Sequence, residues 1–172
     1  VGAHRVYRRL TAYILRNCRD PRWDTVLYIT PDKAVRRGFG GLWPDDMPRY
    51  PQKHGDLSAR LARIYRFKGP VLAIGTDAPQ VGRADIAAAI KALKSNQAVF
   101  GPAKDGGFWL IGMNGPVGPK VFENVRWSHE NTLADLEANL EHKPAYLRTL
   151  EDIDNGPSLR RWLALQSRFN RK

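Results

Sequence analysis

Three short stretches combine residue types and spacings that could do chemistry. Asp77 stands in Gly75-Thr76-Asp77-Ala78-Pro79, directly after the apolar run Val71-Leu72-Ala73-Ile74. Gly75 lets a ligand approach the backbone, and Pro79 stiffens the turn. A carboxylate there suits a hard cation such as Mg²⁺, which takes oxygen ligands and keeps waters or phosphates. A turn or helix-cap aspartate would have the same sequence. Lys104-Asp105-Gly106-Gly107 lies between two apolar runs. Its glycines fit either a tight hairpin or a loop whose amides meet a ligand while Asp105 accepts from hydroxyls. In Asp152-Ile153-Asp154 alternate residues of extended chain face the same way, so both acids could enter one site. They could also be solvated acids ahead of a helix, where the macrodipole favours them.

Other chemistries have little support. His4, His54, His129 and His142 show no metal-ligand spacing to one another, so a zinc site is not expected. Phosphate loops of the Walker or dinucleotide type are absent, as is a Gly-x-Ser-x-Gly nucleophile motif. The single cysteine, Cys18, excludes an internal disulfide and reads as a bland residue at a helix end. No run approaches the roughly 20 apolar residues of a membrane span, and a cytoplasmic location is expected.

The elements that must position these residues follow from periodicity. Residues 5–17 place Val6, Leu10, Tyr13 and Ile14 on one helical face, stopped by Asp20-Pro21. Strands are expected at 25–30, 71–74, 98–100, 108–111 and 145–150. Helices are expected at 56–66, 83–94, 131–140 with Ser128 as cap, and 157–166 with Asn155 as cap. The stretch 37–52, rich in Gly and Pro, reads as a loop. Alternation of this kind implies an α/β domain, a three-layer sandwich with a mostly parallel sheet and ligands beyond the strands' carboxyl ends. With 172 residues, 42% hydrophobic and 26% charged, one domain spanning 1–172 is expected.

The net charge of +11 suits anionic partners. Arg5, Arg8, Arg9, Arg16, Arg19 and Arg22 crowd one end, and Arg160, Arg161, Arg168, Arg171 and Lys172 the other. Neither cluster carries interleaved aromatics of the RNA-binding type, so a solvated basic surface is preferred to a nucleic-acid site.

Taken in order, Gly55-Asp56-Leu57-Ser58-Ala59-Arg60-Leu61, Gly75 to Pro79, Gly101 to Gly112, Val125-Arg126-Trp127-Ser128 and Asp152 to Asp154 resemble one bacterial family. It is the radical-SAM/selenodomain-associated transferase group, with the GT-A fold of nucleotide-diphospho-sugar transferases. The resemblance implies that Asp77 and Asp154 hold Mg²⁺ or Mn²⁺ on the nucleotide's phosphates, with Asp152 beside them. It implies that Asp105, as the catalytic residue, with Lys104, Gly106 and Gly107, lines the sugar or acceptor side. Asp56 and Arg60 would open the helix beneath the nucleotide. Members begin with a further strand and a basic Lys-Thr-Arg-Leu-like loop, after which Val1-Gly2-Ala3 aligns, so the amino end is expected to be incomplete.

The activity implied is metal-dependent transfer from a nucleotide-activated sugar to an unknown acceptor. A nucleotidyltransferase using a nucleoside triphosphate and a phosphorylated acceptor shares the fold. A non-catalytic basic nucleotide- or nucleic-acid-binding module is the third reading, and steep salt dependence would mark it.

Overall fold

A computed structural model gives the architecture; it describes residues 2–37 and 41–169, the side chains of 166–169 excepted. Helix α1 (Ala3–Cys18) buries Leu10, Thr11, Ile14, Leu15 and Cys18, the stripe expected of an amphipathic helix. Strand β1 (Leu27–Ile29) pairs in parallel with β2 (Arg49–Pro51). Then follow α2 (Leu57–Ile64), β3 (Gly69–Ile74), α3 (Arg83–Ala92), β4 (Ala98–Pro102) and β5 (Phe108–Gly115). Helix α4 (Thr132–Ala138), β6 (Ala145–Tyr146) and α5 (Gly156–Phe169) complete the chain. The last helix starts as expected, Asn155 accepting from the Ser158 N–H at 3.0 Å.

The main sheet has the order β3-β5-β4-β6. Strands β3, β4 and β6 run the same way, and β5 runs against both of its neighbours. The α/β class therefore holds, while the sheet is mixed at β5. The reason is local: only five residues join β4 to β5, enough for a hairpin and far too few for a parallel crossover.

Two apolar clusters sandwich this sheet. On one face Ile14 and Cys18 of α1 and Ile86 and Ala89 of α3 meet Val99 and Leu110. On the other, Leu61 of α2 and Leu136 of α4 meet Phe100, Ile111 and Met113. The pleat sends Val99 one way and Phe100 the other, so the sheet is buried on both faces between helical layers.

A β-bulge breaks this alternation. Gly101 faces Leu110 but Pro102 faces Phe108, which leaves Trp109 as the extra residue. Trp109 and Leu110 consequently share one face, and a Cβ on Gly101 would stand 2.3 Å from the indole. The indole N–H donates to the Arg148 carbonyl at 3.1 Å.

Several expectations need correction. The stretch 37–52 contains β2, whose Arg49-Tyr50-Pro51 pairs with Leu27-Tyr28-Ile29. The final strand is regular only at Ala145–Tyr146, because the Arg148 carbonyl is taken by Trp109 while its side chain turns to Asp85. The chain rejoins β4 at the Ala103–Leu150 bridge. Ser128 does not cap α4: it has φ 55°, and the cap position is Asn131. Thr132 and Asp135 organise that helix start instead, Thr132 Oγ1 donating towards the Arg126 and His129 carbonyls and Asp135 accepting from Arg126. Of the basic residues near the carboxyl end, Arg171 and Lys172 lie outside the described residues.

Candidate functional site

The site is assembled at the carboxyl ends of β3 and β4. Gly75 continues from β3 and donates its N–H to the Trp109 carbonyl at 3.2 Å. Two residues on, the Asp77 carboxylate folds back so closely that a Cβ on Gly75 would lie 2.4 Å from its Oδ1. Any larger residue at position 75 would push that carboxylate away. The Ile153 N–H donates to the Asp77 carbonyl at 2.9 Å, tying the segment with Asp152 and Asp154 to the same turn.

The third strand end comes from the hairpin. Ala103 and Gly107 close it with an N–H to carbonyl bond of 3.0 Å, and Gly106 turns it at φ +89°. Asp105 Oδ1 accepts from the Gly107 N–H at 2.9 Å, which fixes the carboxylate over the turn. The turn is pinned on both sides. The Lys104 N–H donates to the Leu150 carbonyl, and the Leu133 N–H to the Gly106 carbonyl, both at 3.0 Å. A Cβ on Gly106 would fall 1.8 Å from the Glu130 carbonyl oxygen, so the approach of the α4 entry loop requires glycine.

The electrostatics show that these carboxylates share one field. Burial pushes the Asp77 carboxyl up, and the charges of Asp154 and Asp105 push it further, against hydrogen bonding from its own backbone. Asp152 is pushed up to about 7, first by burial and then by the charges of Asp77, Asp105 and Asp154. Its Oδ1 is buried with no hydrogen-bond partner. A buried polar oxygen ordinarily finds a donor. No basic side chain is hydrogen-bonded or ion-paired to any of the four acids among the described residues. Lys104 acts one residue away: its charge helps hold Glu151 low, after the hydrogen bond and charge of Arg161.

The fold thus brings Asp77, Asp105, Asp152 and Asp154 together. It holds Asp56 and Arg60 in a separate local arrangement. Asp56 caps α2, accepting from the Ala59 N–H at 2.9 Å. Arg60 donates to the Gly55 carbonyl at 3.0 Å and to Gln52 at 3.4 Å. Among the described residues no hydrogen bond or ion pair links either to the acid cluster.

Sequence reasoning put Asp152 second to Asp154, yet it is Asp152 whose Oδ1 is buried without a hydrogen-bond partner. Its alternation with Asp154 was the available signal; its burial arises only when Ile153 docks on the Asp77 carbonyl. The Glu130 backbone behind Gly106 left no sequence signal.

Among the described residues no three His, Cys, Asp or Glu side chains close into a metal cage. A hard cation bound through one or two carboxylates, besides water and substrate phosphates, would need fewer protein ligands than such a cage supplies. The orphaned Asp152 oxygen and the mutual repulsion of four acids fit such a cation. Two surface hollows, around Leu15, Arg16, Leu42 and Arg83 and around Trp23 and Tyr50, are not lined by any of these four acids.

Residues 14–129 match the family described as "Uncharacterized protein conserved in bacteria (DUF2064)". The match includes Asp77 and Asp105, while Asp152 and Asp154 lie beyond it. No curated protein matches the chain. Among solved structures the chain is similar to the crystal structure of a "putative nucleotide-diphospho-sugar transferase" from Desulfovibrio desulfuricans G20. The identity is 22% and the TM-score 0.76, over 88% of this chain and 70% of that one. The likeness shows a shared fold.

Proposed function

The chain belongs to the conserved bacterial family DUF2064, and from that premise we propose that it is a metal-dependent glycosyltransferase using a nucleotide-activated sugar. The observation that carries this reading is the cluster of four carboxylates at the strand ends, with the Asp152 Oδ1 buried and unpartnered. A surface of this kind repels a nucleotide diphosphate unless a cation stands between them. The fold, shared with a nucleotide-diphospho-sugar transferase-like structure, supports the same substrate class.

In this proposal Asp77 and Asp154 hold Mg²⁺ or Mn²⁺, and Asp152 lends its free oxygen beside them. When bound, the ion neutralises charge on the diphosphate and eases departure of the nucleoside diphosphate. The chain's own contribution is positioning. Asp105 is fixed through Oδ1, which leaves Oδ2 to accept from a sugar or acceptor hydroxyl. Gly106 and Gly107 keep the turn low beneath that hydroxyl, and exposed Lys104 offers a cation at its edge. Asp56 and Arg60 act indirectly, holding the start of α2 beneath the nucleotide.

The test is product analysis. The chain is incubated with UDP-, GDP- and CDP-linked sugars, Mg²⁺ or Mn²⁺, and candidate hydroxyl acceptors. Metal-dependent release of nucleoside diphosphate is the expected result. Release of pyrophosphate from a nucleoside triphosphate and a sugar phosphate would replace this reading with nucleotidyl transfer. Absence of both, with salt-sensitive nucleic-acid binding, would replace it with a binding module.

A further inference from the structure

The turn 77–80 and the segment 151–153 meet along a seam that neither the sequence motifs nor the proposed reaction has yet accounted for. Gln80 Nε2 donates to the Glu151 carbonyl at 3.0 Å, and the Ile153 N–H donates to the Asp77 carbonyl at 2.9 Å. Asp152 is thus bracketed between two bonds into the same turn. Arg148 secures that turn as well, its guanidinium donating to the Gln80 carbonyl at 2.9 Å while pairing with Asp85.

Five buried side-chain polar atoms lack a hydrogen-bond partner among the described residues, and two of them are amide or carboxylate oxygens: Gln80 Oε1 and Asp152 Oδ1. Both belong to this seam. A buried acceptor without a donor is costly and ordinarily has one. Gln80 cannot relieve the cost by turning its amide over, because the oxygen would then face the Glu151 carbonyl. Arg148 does not relieve it either, since its N–H groups go to the Gln80 carbonyl and to Asp85. What the seam lacks is a positive partner for two oxygens, one from a carboxyl and one from a neutral amide. A hard divalent ion is such a partner, because side-chain amide oxygens ligate it as carboxylates do. A neutral ligand has the further merit of adding no charge to four acids that already repel one another.

We propose that Gln80 is an uncharged ligand of the divalent ion, holding it through Oε1 beside Asp152 Oδ1. This rests on the reading of the acid cluster as a divalent-ion site and adds to it a residue that carries no charge.

The test loads the full chain with Mn²⁺ after labelling its glutamines with ¹³C at the carboxamide carbon, and reads it by electron–nuclear double resonance. A carboxamide carbon whose oxygen is bound lies on the order of 3 Å from the ion. A ¹³C coupling of that range is expected in the labelled chain. It should vanish in Gln80→Glu, where Gln52, Gln97 and Gln166 remain labelled. Calorimetry supplies the second readout. Gln80→Leu should weaken Mn²⁺ binding by about tenfold or more, whereas Gln80→Glu, which keeps an oxygen, should bind at least as tightly as the unaltered chain. A glutamine that served only as donor to the Glu151 carbonyl would make Gln80→Glu at least as harmful as Gln80→Leu. Circular dichroism checks that both variants are folded. With Mn²⁺ bound to the unaltered chain, three results would overturn the proposal and leave the ion site standing: no ¹³C coupling, undiminished binding by Gln80→Leu, or binding by Gln80→Glu no tighter than by Gln80→Leu. A water standing between Oε1 and the ion would give the first of these. Failure of the unaltered chain to bind Mn²⁺ would overturn the ion site and this proposal together.

Discussion

Asp152 carries the sharpest signature of the site at the scale of single residues. Its carboxyl is pushed up to about 7, so the folded chain keeps a proton there that the unfolded chain releases near 4. The folded state therefore binds more protons between those values, and stability must fall as pH rises through that window. In chelator, the unfolding free energy from denaturant titrations between about pH 4 and 8 should decline, by roughly 2 kcal/mol or less because Asp152 is coupled to the charge of Asp77. Asp152→Asn should flatten the decline; an unchanged slope would show that Asp152 is not its source. Asp105 offers a different separation. Asp105→Asn keeps an oxygen for the Gly107 N–H and removes only the charge. Transfer should drop by about tenfold or more with nucleotide affinity within about twofold, a pattern read by steady-state kinetics beside calorimetry. Equal loss of nucleotide affinity would move Asp105 to the phosphate side. Asp77 was legible as a site candidate because it stands in the turn after an apolar strand, and Asp154 because it alternates with Asp152 in extended chain. The burial of Asp152 was not, because it depends on a bond between segments more than seventy residues apart.

Among the elements, the β4–β5 hairpin positions the acceptor side, and its glycines are the place to test that. Gly106 combines φ +89° with a Cβ clash of 1.8 Å against the Glu130 carbonyl. Gly106→Ala should destabilise by about 3 kcal/mol in urea unfolding. Gly82→Ala, with nothing within 4 Å, should change stability by less than about 1 kcal/mol. Similar values for both would mean that the α4 entry loop is not held against the turn. The helices were legible from apolar spacing: α1, α2, α3 and α5 begin and end within a few residues of expectation. Strand β2 was hidden because Arg49-Tyr50-Pro51 is three residues long, ends in proline and shows no alternation. The truncation of the final strand followed from the Trp109 bulge, which no local pattern announces. Ser128 failed as a cap because its φ of 55° puts it in a turn ahead of the helix, which starts after Asn131, and the Asn131 N–H goes to His129 Nδ1.

Across the whole molecule, charge is divided by sign. The chain carries +11 overall, yet four carboxylates with no basic partner among the described residues gather at one end of the sheet. The basic surplus raises the local concentration of anionic substrates, while the acids demand a cation before those substrates can settle. The surplus was legible from composition alone. Its division was not, because Asp77, Asp105, Asp152 and Asp154 are scattered through half the sequence. The central claim is that these acids hold a divalent ion for a nucleotide diphosphate. Titrating Mn²⁺ into the chain by calorimetry, with and without UDP, GDP or CDP, tests it most directly. The account predicts one Mn²⁺ per chain, tighter by about tenfold or more with the matching nucleotide and lost in the Asp77→Asn, Asp154→Asn double variant. Absence of Mn²⁺ binding to the folded chain, or binding that survives the double variant, would contradict it.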